Sequence, residues 1–88
     1  MKTYIVLIDV DGFDESRKLC ENLENTKFNI GGSVQATAID VLINVIQKLG
    51  ITTELSKFIE VEPISDFMDR VNDEQFNDTQ YFMSYVYA

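Results

Sequence analysis

Tyr4-Ile5-Val6-Leu7-Ile8-Asp9-Val10-Asp11-Gly12 decides how the rest of the chain is read. Ile5, Val6, Leu7 and Ile8 are apolar in succession, so a strand here is apolar on both of its alternating faces. Such a strand, Lys2 to Val10, needs cover on each side and belongs in the middle of a sheet. Asp9 and Asp11 mark its exit and Gly12 breaks it. Asp14 then stands where a helix N-cap is expected, with Glu15 in the first turn near the positive helix end.

Outward from that strand, Leu19, Cys20 and Leu23 form one helical stripe running to about Asn25. Lys27 to Ile30 reads as a short strand before Gly31-Gly32. Ser33 suits the cap of a second helix, in which Val34, Ala38, Val41, Leu42, Val45, Ile46 and Leu49 recur at steps of three and four, closed by Gly50. The β-branched residues of Val34 to Ile39 also allow a strand, but the helical stripe is longer. Lys57 to Glu62 alternates as a strand does, and Pro63 suits the first turn of a third helix. Ile64, Phe67, Met68 and Val71 give that helix an apolar face; Asp66, Asp69 and Asp73 give it a wet one. Asn72 to Thr79 is a polar connection, and Tyr81 to Tyr87 an aromatic-rich strand. The order β-α-(β)-α-β-α-β predicts an α/β (α+β) domain with a helix-covered sheet, a ferredoxin-like sandwich or a close variant.

Eighty-eight residues suit a single domain, 1–88, with a core small enough that self-association is a common supplement. One cysteine and no histidine leave no internal disulfide and no Cys/His zinc site, so a homodimer is expected, without a cofactor. The apolar run Tyr4 to Ile8 is too short for a signal sequence. Val34 to Leu49 is interrupted by Gln35, Asp40, Asn44, Gln47 and Lys48, so no membrane span is expected and a cytoplasmic placement is the simplest. The net charge of −8 is uneven: residues 1–49 carry five bases and seven acids, residues 50–88 only Lys57 and Arg70 against eight acids. A surface of that sign repels phosphate backbones and favours a basic protein partner over direct nucleic-acid binding.

Asp9-Val10-Asp11-Gly12 after an apolar strand resembles the first motif of the haloacid-dehalogenase-type phosphatases. The resemblance implies Asp9 as nucleophile, Asp11 as general acid/base and both around magnesium. Ser65-Asp66-Phe67-Met68-Asp69 faintly echoes that family's distal acidic motif. Phe13 stands where the family has threonine, and its multi-stranded core exceeds this chain's length. The chain is also similar, in size and in a first strand ending in Asp9, to the small dimeric ferredoxin-like nucleases of CRISPR adaptation. That likeness implies a metal between two facing Asp9 side chains, but the arginines that follow the aspartate in that family are absent. The plainer reading is a strand, a turn and a cap. Asp9 and Asp11 are thus the metal candidates, and no catalytic residue is assigned. The spacing of Asp9, Asp11 and Asp14 does not fit a calcium-binding helix-loop-helix: the glycine comes too early and Cys20 falls where a closing Glu is needed.

Elsewhere Cys20 lies on the buried stripe and reads as a small core residue. Gly31-Gly32-Ser33 has the glycines of a phosphate cradle without its lysine, and reads as loop and cap. Glu60, Glu62, Asp66, Asp69 and Asp73, continued by Glu74 and Asp78, form the candidate binding face. The plain alternative is a solvated helix face. Carboxylates so arrayed can imitate a phosphate backbone, as some phage-borne inhibitors of host nucleases do. The expectation is a small acidic, non-enzymatic protein-binding module, in one form an inhibitor or accessory protein of a phage or mobile element. A metal-dependent phosphoryl-transfer or nuclease-like enzyme centred on Asp9 and Asp11 is the alternative.

Overall fold

In the computed structural model, which describes residues 1–10, 12–30, 36–73 and 82–88, the chain runs β1 (Thr3–Ile8), α1 (Phe13–Leu23), β2 (Thr26–Lys27), α2 (Ala38–Leu49), α3 (Thr53–Ser56), β3 (Ile59–Pro63), α4 (Ile64–Asp73), β4 (Phe82–Tyr87). One four-stranded mixed sheet has the order β2-β4-β1-β3. β1 pairs antiparallel with both β3 and β4, and Tyr4 to Ile8 are all buried. The apolar run therefore sits where its two-faced character requires.

Register assigns the faces, because residues directly opposite in an antiparallel pair point the same way. Tyr4, Val6 and Ile8 share one face with Val61 and Ile59 on β3 and with Val86, Ser84 and Phe82 on β4. On this face lies the core, where Val10, Leu19, Cys20 and Leu23 of the first strand-helix unit meet Phe28, Val41 and Val45. Ile5 and Leu7 share the opposite face with Glu62 and Glu60 on β3 and with Tyr85 and Met83 on β4. α4 packs over β1 and β3 there, its Arg70 reaching Glu62. Helices thus lie on both sides of the sheet, though on the α4 side Met83 and Tyr85 of β4 stay exposed.

The arrangement is consistent with a ferredoxin-like sandwich. β4-β1-β3 is an antiparallel trio in which the β3-α4-β4 crossover spans the central β1. The bracketed strand is the variable part: β2 has two residues, starts at Thr26 rather than Lys27, and pairs parallel with β4. Asn25, at φ 59, supplies the left-handed turn into it, a conformation asparagine tolerates better than most residues.

The helix ends differ from expectation in α1, α2 and α4. Gly12, at φ 101, precedes α1 with no side-chain cap, so the helix begins one residue before Asp14, which lies in its first turn. Ser16 takes over the fastening: its buried hydroxyl donates to the Val10 carbonyl at 2.8 Å, tying helix to strand. For α2 the cap is Thr37, in a reciprocal capping box with Asp40, and Gly50 at φ 63 closes the helix. That hydrogen bonding holds the Asp40 carboxyl below its ordinary value. Ala38 and Ile39 are helical, whereas Gly31, Gly32, Ser33 and Val34 fall outside the described residues. The four-residue α3, capped by Thr52, was not expected because it shows no apolar periodicity. Asn72 and Asp73 complete α4 rather than begin the polar connection, the rest of which, 74–79, lies outside the described residues. Among the described residues no helix is long and apolar enough to cross a membrane.

Candidate acidic binding face

Strand alternation and one short crossover place the candidate acids. Glu60 and Glu62, two apart on β3, both point to the α4 side of the sheet. Only Glu60 is exposed there. Glu62 is clasped by Arg70, with Nη2 2.7 Å from Oε1 and Nη1 donating to Oε2 at 3.1 Å. The guanidinium also lies over the Phe67 ring, 5.8 Å from its centre. Glu62 therefore serves to dock α4 and contributes little free charge to the surface.

Asp66 and Asp69 are exposed and three residues apart, hence neighbours on the outer surface of α4. Asp73 is the last residue of the same helix, four beyond Asp69. Glu74 and Asp78 lie outside the described residues, as does Asp11.

Asp9 leaves β1 two residues after Leu7, and its amide donates to the Phe58 carbonyl at 2.9 Å. This extends the β1–β3 ladder past both strand ends. Asp9 and Glu60 consequently line one small recess together with Leu7, Lys57 and Phe58. Residue order does not foretell this pairing, since only the register makes neighbours of residues so far apart. Among the described residues, no group of three or more His, Cys, Asp or Glu side chains is placed to hold a metal ion.

The aromatic strand divides cleanly. Ser84 and Val86 are buried, the Ser84 hydroxyl donating to the Cys20 carbonyl at 2.7 Å, while Met83 and Tyr85 are 51% and 44% exposed. Tyr81 lies outside the described residues.

Cys20 is buried in the core, as its stripe implied. Burial above all raises its thiol pKa; Glu24 and Glu21 add to the rise and a Ser84 hydrogen bond opposes it. Since the thiolate is the reactive form, a disulfide reagent at pH 8 is expected to modify the folded protein on the order of a hundredfold more slowly than the urea-unfolded chain. Equal rates would place Cys20 at the surface.

No protein-family model matches this sequence, and neither a curated protein nor a solved structure matches it significantly.

Proposed function

We propose that the protein is a small acidic binding module that captures a basic protein partner through Glu60, Asp66, Asp69 and Asp73. One observation carries this reading: the cations of the acidic half are already matched within the chain. Arg70 is held by Glu62, and Lys57 pairs with Glu54 at 3.6 Å. Glu60, Asp66 and Asp69 make no ion pair among the described residues and are exposed. Their field is left for a partner, and it opposes a phosphate backbone.

A nucleic-acid-binding protein presents the basic surface such a face would occupy, which makes an inhibitor or accessory protein of a phage or mobile element a concrete form of this function. The lone buried thiol suits a reducing cytoplasm. For the enzymatic alternative, Asp9 and Glu60 share one recess, but the Lys57 side chain, paired with Glu54, also lines it, and its positive charge opposes a cation there.

Reversing Asp66, Asp69 and Asp73 to lysine is expected to weaken capture of protamine, a model basic protein, on the order of a hundredfold at low salt. The difference should shrink toward parity at 1 M salt, where the screening length falls to about 3 Å. Isothermal titration checks both. Unchanged binding by the folded triple variant would end the acidic-face reading.

A further inference from the structure

β3 ends the sheet, and its outer edge is paired with no strand among the described residues. The direction of its free backbone groups follows from a single hydrogen bond. Asp9 N–H donates to Phe58 C=O in the same register that pairs Leu7 with Glu60 and Ile5 with Glu62. Antiparallel ladders alternate bonded and non-bonded pairs, so Glu60 and Glu62 turn their backbone groups toward β1. Ile59 and Val61 therefore aim an N–H and a C=O each away from the sheet. Pro63 carries no N–H and closes the row.

Open edges recruit other strands, so what this edge rejects says what it accepts. A second copy fits poorly. Antiparallel self-pairing centred on Glu60 sets that residue against its own copy, and pairing centred on Val61 sets Glu60 against the copy's Glu62. Like charges directly opposite are destabilising. A strand with lysine or arginine opposite Glu60 reverses the sign of that contact. Its alternate residues would then lie beside Val61, on the face where Ile59 and Val61 point, and are best apolar.

We infer that the outer edge of β3 docks an extended segment of alternating basic and apolar residues from the partner, by adding it as a fifth strand. This rests on the proposal of a basic partner and specifies the form of its contact. Backbone hydrogen bonds to Ile59 and Val61 supply the pairing, and Glu60 supplies the sign.

The test uses the full chain and three synthetic nine-residue peptides: one alternating lysine and valine, its glutamate counterpart, and the lysine peptide N-methylated at the amides that would face the edge. The lysine peptide is expected to bind and to slow hydrogen exchange at the Ile59 and Val61 amides. N-methylation should cost about fivefold or more in affinity, as two backbone hydrogen bonds at about 0.5–1.5 kcal/mol each imply. Glu60→Lys should transfer preference to the glutamate peptide. Equal binding by the N-methylated peptide, or shifts confined to Asp66 and Asp69, would overturn edge docking while leaving the acidic face in place. Protected Ile59 and Val61 amides in the monomeric protein alone would also overturn it. If neither lysine peptide binds at all, edge docking falls, and protamine capture then shows whether the acidic face falls with it.

Discussion

Ile5→Ala is expected to destabilise the fold by roughly 2–5 kcal/mol, the range for removing a fully buried aliphatic side chain. Ile5 is 0% exposed, yet it lies on the face opposite the main core and depends on α4 for cover. Domains of this size have only about 5–15 kcal/mol to lose, so the change should be large in any unfolding measurement. At ~4–8 °C per kcal/mol, Tm should fall by at least about 8 °C. Tyr85→Ala, in the neighbouring β4 position and half exposed, is the control and should cost far less. A loss below about 1 kcal/mol for Ile5→Ala would mean that α4 does not seal the second face.

That contrast also shows what could be read without coordinates. Ile5 to Ile8 announced a doubly covered central strand, because a run apolar on both faces cannot be satisfied at an edge. Gly50 likewise encodes the end of α2 through local chemistry, whereas the start of that helix is set by the Thr37–Asp40 capping box and not by Ser33. The α1 cap was misplaced because Asp14 is a good capping residue by type, whereas the entry to α1 is fixed by Gly12 and the Ser16 hydroxyl. The second fastening joins residues whose contact depends on the turn between them, and composition does not report turns of that kind.

The candidate face was legible in the same uneven way. Exposure of Asp66 and Asp69 follows from helical period, and Glu60 from strand alternation. The role of Glu62 does not, since its pairing with Arg70 needs the crossover to fold back over β3. Nor does the meeting of Asp9 and Glu60, which requires the β1–β3 register. One-dimensional patterns fix which side of an element a residue occupies; which element it then faces is a property of the sheet order.

Removing Arg70 is the second change expected to have a large effect, and it separates a structural acid from a binding one. Glu62 is only 21% exposed in its side chain, and its Oε1 is shut off from solvent without a hydrogen bond, 2.7 Å from Arg70 Nη2. Its compensation is therefore the guanidinium charge. Breaking a fully buried pair costs about 3–5 kcal/mol and an exposed one about 0–1. This half-buried pair should lie between, so Arg70→Met is expected to cost roughly 1–3 kcal/mol in urea unfolding. Adding Glu62→Gln removes the orphaned charge and should restore part of the loss, giving a coupling of about 1 kcal/mol in a double-mutant cycle. Additive costs would show that α4 is not held to β3 by this pair. Glu62→Gln alone should leave protamine binding within about twofold, because its charge is already spent inside the fold, whereas Glu60→Gln should weaken it. If the two substitutions weaken capture equally, Glu62 belongs to the binding face after all.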